Sequence, residues 1–262
     1  MLKQEQVIVS LTSFPAAIQY AIKAVKSILE SSLMPDKVVL YLTFSQFEES
    51  KLPEELLHLA SGNPVFEIRD YNDDIRSYRK LVPALYDFSD AIIITIDDDV
   101  WYHKNMIRDL LRLHKQHPNA IIAHRAKRID LNAPYRKWKK YRWYSFLFKR
   151  IHSGFGTIQT GVGGVLYPPR ALNMEMINPE LFKTIAPTTD DIWFWAAAVA
   201  NGTKIIPVPF GHNKPKGLKK PRELSLKTVN FKSGTDLNSI SLKRIIERFP
   251  VILQNIEAEK AK

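Results

Sequence analysis

Residues 91–96 read AIIITI and run straight into three carboxylates, Asp97, Asp98 and Asp99. The run is apolar and β-branched with no polar alternation, so it reads as a strand buried on both faces, the habit of parallel sheets. An unpaired buried carboxylate is costly, so acids do not end such a strand without a reason. In open α/β sheets ligands bind outside the carboxyl ends of the strands. Hard oxygen donors there suit Mg²⁺ or Mn²⁺, and those ions suit phosphates. A metal–diphosphate site at the end of a central strand is the expectation. The plainer alternative is a solvated turn ahead of a helix start, which also favours acids.

The rest of the chain supports an α/β architecture. Residues 6–11 (QVIVSL) and 37–42 (KVVLYL) read as strands. Between them, residues 16–31 carry Ile18, Ala21, Ile22, Val25, Ile28 and Leu29 at helical spacing. A β-α-β opening of this kind implies parallel strands and a right-handed crossover. Further strands are expected at 65–68, 120–123 and 204–208, with one inside 157–167 beside a backbone approach marked by Gly161, Gly163 and Gly164. Helices are expected at 52–60, 77–86 (interrupted by Pro83), 100–117 and 190–200, the last closed by Asn201-Gly202. Residues 240–253 are periodic again. No internal repeat or Gly/Ser linker divides the chain. The expectation is a single α/β domain with a mostly parallel central sheet flanked by helices. Residues 1–100 would form a nucleotide-binding half, 101–215 an acceptor half, and 216–262 a basic C-terminal extension.

The 262 residues suffice for such a domain. The absence of cysteine excludes disulfides and thiolate metal sites and fits a reducing compartment. No apolar run approaches the roughly 18 residues that span a bilayer, and residues 1–6 lack the apolar core of a signal peptide. A cytoplasmic location is the corresponding expectation. The net charge of +11 favours an anionic partner: nucleotide, nucleic acid or acidic membrane surface.

Four further motifs carry candidate chemistry. In residues 74–80 (DIRSYRK), a helix would place Ser77 and Lys80 on one face, and Lys80 could meet a phosphate as a point charge. Arg76 and Arg79 read as solvated charges. In residues 188–195 (TTDDIWFW), Thr188 and Asp191 have capping-box spacing, yet an acid at a helix start also suits a general base. Trp193 could offer a face to a sugar, although core packing is commoner, especially for Trp195. His212 lies in a Gly/Pro turn after a strand and could supply an imidazole ligand. Residues 135–150 (YRKWKKYRWYSFLFKR) interleave rings and cations. If helical, Tyr135, Trp138, Tyr141 and Phe148 share a face, which fits a membrane interface, a nucleic-acid surface or ordinary packing.

Taken in order, VSLTSFP, PDKVVLYL, DIRSYRKL, IITIDDDVWY, TGVGGVLYPP and TDDIWFW resemble a bacterial GT-A-fold glycosyltransferase, similar to the family 2-like enzymes of surface-polysaccharide biosynthesis. The resemblance spans residues 5–212. It implies a nucleotide-sugar donor, a UDP-sugar in the first place, with Mn²⁺ or Mg²⁺. It also implies a glycan or lipid-linked acceptor, and inversion at the sugar if an acid on the acceptor side is the base; a retaining outcome would require a different arrangement behind the sugar and stays open. Peripheral attachment to an anionic inner membrane face through residues 135–150 and the basic C-terminal region is a further expectation. By the same resemblance Thr12 and Ser13 would contact the nucleoside. Asp74, Ser77, Lys80, Asp97 and Asp98 would help hold the nucleotide. Asp99, Asp97 and His212 would ligate the metal. Gly163, Gly164 and Trp193 would face donor sugar or acceptor, and Asp191 or Asp190 would be the base. The late motif reads Asp-Asp where Glu-Asp is commoner, which leaves the choice of base open.

Two rivals remain. A sugar-nucleotide nucleotidyltransferase would carry a Gly-rich, Arg-containing loop after the first strand, where this chain has residues 12–15, TSFP. A basic nucleic-acid-binding protein accounts for the charge. It does not account for a carboxylate triplet, which repels phosphate unless a metal intervenes.

Overall fold

The structure, a computed structural model, describes residues 5–141, 154–209, 215–221, 223, 230 and 236–261. Strand β1 (Val7–Thr12) leads through a short 3₁₀ turn into helix α1 (Ile18–Leu29), and β2 (Lys37–Leu42) follows. Helix α2 (Glu54–Ser61) precedes β3 (Phe66–Asp70), and a 3₁₀ segment (Arg76–Lys80) leads into α3 (Val82–Asp87). Pro83 sits in the first turn of α3, where its missing N–H costs nothing. Next come β4 (Ile92–Thr95), β5 (Val100–Trp101), α4 (Met106–His114), β6 (Ile121–Ala123), β7 (Ala126–Arg128), β8 (Thr157–Gln159) and β9 (Val165–Tyr167). Helices α5 (Pro179–Ile185) and α6 (Asp190–Ala200), strands β10 (Ile205–Pro207) and β11 (Lys216–Gly217), and helices α7 (Leu237–Arg248) and α8 (Val251–Lys260) complete the order.

Seven strands form the central sheet in the order β10-β6-β9-β4-β1-β2-β3. All neighbours are parallel except β9, which runs antiparallel to both β4 and β6. The sheet is therefore mixed but mostly parallel, as the sequence leads one to expect. Strand β4 is buried on both faces: Ile92, Ile93 and Ile94 are each no more than 3% exposed. Its side chains alternate between two apolar layers. Ile93 joins Ile8, Val39 and the α6 rings, while Ile92 and Ile94 join Val9, Leu40 and α1. Each such isoleucine contributes about 1.5–3 kcal/mol by leaving water.

This topology positions the site. Strand order reverses where β1 meets β4, the switch point at which doubly wound sheets open a crevice. The carboxyl ends of β1, β4 and β6 lie at that edge, and antiparallel β9 brings its amino end there, preceded by the turn Gly161–Gly163.

Several expectations need correction. Residues 100–117 are not one helix: Val100–Trp101 pairs with Lys216–Gly217 as a separate two-stranded ribbon, and α4 starts only at Met106. Residues 157–167 hold two strands in different sheets rather than one. Residues 135–141 are not a helix carrying rings on one face. Tyr135–Lys137 is a single 3₁₀ turn, and Lys140 bridges Lys127 in extended pairing. Trp138 is buried, with its indole N–H donating to the Asp130 and Ala133 carbonyls. Residues 142–150 lie outside the described residues. The last two helices are not an appendage: Leu242, Ile245, Ile252 and Ile256 belong to the same apolar layer as α6.

Candidate functional site

The alternation of β4 continues past its end and hands Asp97 and Asp98 to opposite sides. Asp97 meets Lys80, whose Nζ lies 2.9 Å from Asp97 Oδ1 and 2.9 Å from Asp190 Oδ2. Ser77, eclipsed with Lys80 by the three-residue repeat of its 3₁₀ segment, donates its hydroxyl to Asp190 Oδ1 at 2.9 Å. Burial alone pulls the Lys80 ammonium down, but the Asp190, Asp97 and Asp191 carboxylates outweigh it and hold the pKa well above its ordinary value. Lys80 is thus a permanently charged tie between the end of β4 and the start of α6.

Asp98 turns the other way. Its Oδ2 accepts from the Ser13 hydroxyl at 2.6 Å, and its Oδ1 lies 3.0 Å from Lys220 Nζ. Lys220 reaches the site on a strap anchored by two contacts: β11 pairs with β5, and Leu218 N–H donates to the Asp99 carbonyl at 2.8 Å. The ammonium also stands 3.9 Å from Asp99 Oδ2 and above the Phe14 ring. Thr12 is turned back into the sheet, its hydroxyl donating to the Tyr41 carbonyl.

Asp99 is the carboxylate of the triplet with least support. Burial, then the charges of Asp97 and Asp98, push its pKa up, and Lys220 opposes this only from 3.9 Å. Concentrated, under-neutralised carboxylate oxygen fits a hard divalent cation. Among the described residues no three metal-ligating side chains converge. An ion here would rest on Asp99 and Asp97 and complete its shell with phosphate oxygens and water, the usual habit of Mg²⁺. His212 lies outside the described residues.

Asp191 opens α6 beside Asp190 but faces a different element. The N-cap of α6 is Thr189, with no side-chain cap hydrogen bond. Asp191 does not complete a capping box with Thr188. Its Oδ1 instead accepts from the Gly161 N–H at 3.0 Å, and its carbonyl accepts from Gln159 Nε2. The residue stays partly exposed. Burial first, then the neighbouring Asp190 charge, pushes its pKa up to about 7 against the pull of Lys80. A carboxyl half-ionised near neutrality at a ligand crevice can take a proton from a hydroxyl.

Gly161 is where these groups converge. A Cβ there would stand 2.7 Å from Lys80 Nζ, 2.8 Å from Asp97 Oδ1 and 3.4 Å from Asp191 Oδ1. Without a side chain, Gly161 lets the turn close on both acids while leaving the ends of Lys80 and Asp97 where they are.

Two solved structures share this architecture. Mannosyltransferase PcManGT from Pyrobaculum calidifontis, in complex with GDP-Man and Mn²⁺, superposes with a TM-score of 0.56 at 12% identity, covering 99% of this chain and 76% of that one. This is a fold found in glycosyltransferases. TarS 1–349 from S. aureus superposes with a TM-score of 0.51 at 12% identity, covering 82% of this chain and 60% of that one. No family model and no curated protein sequence matches the chain.

Of the residues singled out from sequence, the structure gathers Ser13, Ser77, Lys80, Asp97, Asp98, Asp99, Asp190 and Asp191 at one edge. Trp193 is not there: it is fully buried, its indole N–H donates to the Met176 carbonyl, and Phe182 and Phe249 pack against it edge-on. Gly163 and Gly164 lie against other neighbours, Arg125 with His124 and Met106 respectively. Gly164 has φ +86°, a conformation that glycine adopts freely. Asp74 is exposed and caps Arg79, which is not solvated as its sequence context suggests but buried at 2% exposure. Sequence reasoning did not single out Lys220 or Arg125, and it named Gly161 only within a glycine group. Gly161 carried a signal, its type. Lys220 carried none, because its partners lie more than 100 residues away in the chain.

Proposed function

We propose that the protein is a glycosyltransferase that moves a sugar from a nucleoside diphosphate donor to a hydroxyl of a glycan or lipid-linked acceptor, with inversion. The observation that carries this reading is the pairing of two groups across Gly161. On one side stands an under-neutralised carboxylate triplet at the switch point of the sheet. On the other stands a partly exposed carboxyl whose pKa is near 7. Diphosphate departure needs charge neutralised, and hydroxyl attack needs a base; the two sit at one edge.

In the proposed reaction Asp191 accepts the proton of the acceptor hydroxyl as its oxygen forms a bond to the anomeric carbon. The bond from that carbon to the diphosphate oxygen breaks, and the nucleoside diphosphate leaves with the electron pair. Asp99 and Asp97 would hold Mn²⁺ or Mg²⁺, which when bound supplies Lewis-acid stabilisation of the leaving diphosphate. Lys80 holds Asp97 and Asp190 in place. The Gly161 N–H fixes one oxygen of Asp191, leaving the other to face the acceptor. No helix among the described residues is long and apolar enough to cross a membrane, so a lipid-linked acceptor would be met at a membrane surface.

PcManGT was solved with GDP-Man and Mn²⁺, so guanine as well as uracil donors belong in the test. The test is a panel of UDP- and GDP-sugars with Mn²⁺, scored for hydrolysis and transfer. Release of UDP or GDP from at least one sugar, lost in Asp191→Asn, is expected. Pyrophosphate release from a nucleoside triphosphate and a sugar phosphate, with no turnover of any nucleotide sugar, would instead establish the nucleotidyltransferase reading.

A further inference from the structure

Beyond Asp191 stand two cations with no carboxylate bound to them among the described residues. Arg125 sits in the bend between β6 and β7, Lys127 lies within β7, and the two are close enough for their charges to act on each other. The backbone of Arg125 is clamped to the catalytic turn: Thr160 N–H and Oγ1–H both donate to its carbonyl, at 2.9 and 3.3 Å. A Cβ on Gly163 would touch Arg125 N and Cβ at 2.9 Å. The same turn carries the Gly161 N–H that holds Asp191. Both side chains are half-exposed.

Among the described residues Lys127 has a ring and not a carboxylate for its partner, a cation–π contact that favours the charge while burial and a neighbouring lysine oppose it. Its ammonium lies 3.5 Å from the centre of the Tyr135 ring, and its bridge partner across the extended pairing is another lysine, Lys140. Like charges placed opposite each other are destabilising. Burial, then Lys140, pulls the Lys127 pKa down to about 8, with Arg125 adding to the effect. The carboxylates that act on it are Asp191 and Asp236. Asp236 is already engaged, its two oxygens accepting from Ser239 N–H and Oγ–H at the start of α7. Among the described residues neither Arg125 nor Lys127 makes a side-chain ion pair or hydrogen bond. A fold that pairs Lys80 and Lys220 so closely with acids leaves these two for an outside anion.

We propose that Arg125 and Lys127 form a phosphate-binding subsite beside Asp191, so that the acceptor carries a phosphate close to the hydroxyl that is glycosylated. This rests on the transferase reading above, which makes Asp191 the acceptor-side base. Arg and Lys together suit such a group, the guanidinium as a planar fork and the ammonium as a point charge. The phosphate could belong to a polyol or sugar phosphate, or to a lipid diphosphate. The two share the chemistry and differ in what else they carry.

The test is calorimetric titration of the full chain with glycerol 3-phosphate, geranyl diphosphate and, as the neutral control, glycerol. The variants are Arg125→Gln and Lys127→Gln, singly and together, with Arg128→Gln as a control that matches each single variant in charge at an exposed position. Mn²⁺-dependent UDP or GDP binding is measured on the same samples, and thermal melting confirms that each folds. The expected result is binding of at least one phosphate probe and not of glycerol. The double variant weakens it at least tenfold, Arg128→Gln changes it less than twofold, and nucleotide binding stays unaltered. Binding of glycerol 3-phosphate alone supports a phosphate on a soluble or glycan acceptor, and of geranyl diphosphate alone a lipid diphosphate. No binding of either probe to the unmodified protein, or equal binding to the double variant, overturns the subsite. Subsite-dependent probe binding in a protein that binds no nucleoside diphosphate overturns the acceptor role, and with it the transferase reading.

Discussion

The cations around the crevice fall into two groups. On the side proposed for the donor, Lys80 touches Asp97 and Asp190 at 2.9 Å, and Lys220 touches Asp98 at 3.0 Å; both are nearly buried. On the side proposed for the acceptor, Arg125 and Lys127 are half-exposed and have no bound carboxylate among the described residues. Proximity to a site therefore does not define a cation's role. Paired, buried ammoniums fix the acids they touch, because a buried charge needs its partner. Half-exposed ones with no carboxylate among the described residues are, on the proposal above, left for an outside anion. The net charge of +11, which from sequence could speak for nucleic acid, membrane or nucleotide, divides here into structural and available parts.

Removing each kind of cation should have opposite consequences, and the largest is at Lys80. Lys80→Met leaves Asp97 and Asp190 facing each other without a counter-ion. Urea titration should show a loss of about 3–5 kcal/mol, as for one partner of a buried pair. A loss under about 1 kcal/mol would mean that the site reorganises and that the pairing is not a structural tie.

Asp191→Asn comes next and acts on chemistry. Turnover should fall by about 10²–10⁴ with nucleotide affinity kept, the range for removal of a general base. In the unmodified protein the rate should rise with pH, with its midpoint near the Asp191 pKa of about 7. The stability effect has the opposite slope. The folded-state pKa is raised from 3.8, so the native state holds the proton more tightly, and this contribution is complete below 3.8 and gone above about 7. Melting temperature should therefore change less between pH 5 and pH 8 in Asp191→Asn than in the unmodified protein. A rate profile flat across pH 6–8 would remove Asp191 as the base.

Gly161→Ala should cost less, because the atoms that its Cβ meets are side-chain ends that can yield. Turnover should drop by about tenfold, equivalent to ~1.4 kcal/mol, with the melting temperature nearly kept. An unaffected rate would show that the Lys80–Asp97 contact can move without consequence. The smallest effect is expected at Lys127→Met, within about 0.5 kcal/mol of zero by urea titration. A loss comparable with that at Lys80 would erase the distinction between the two groups.

The strand of residues 91–96 was legible because burial on both faces writes itself as an unbroken β-branched run. Its triplet was legible because no apolar layer tolerates three acids. Asp191 was legible as a candidate, but capping-box spacing competed with it, and only the Gly161 N–H decides between them. Trp193 misled because an indole beside an acid reads alike whether it faces a sugar or a core. Arg79 misled because a basic run looks solvated until the fold buries one member. Lys220 and Arg125 were silent: their meaning lies in which acids they meet or fail to meet, a matter of tertiary contact. The rings of residues 135–141 were read as one helical face, but the extended pairing of Lys140 with Lys127 breaks that period and Trp138 turns inward.

The central claim is that the under-neutralised triplet holds a divalent ion for a nucleoside diphosphate. Calorimetry of UDP and GDP with and without Mn²⁺, in the unmodified protein and in Asp99→Asn, tests it most directly. The account predicts that Mn²⁺ raises affinity for at least one nucleotide by tenfold or more, about 1.4 kcal/mol, and that Asp99→Asn, still folded, loses that enhancement. Mn²⁺-enhanced binding of the same strength in Asp99→Asn, or no enhancement in the unmodified protein, would contradict it.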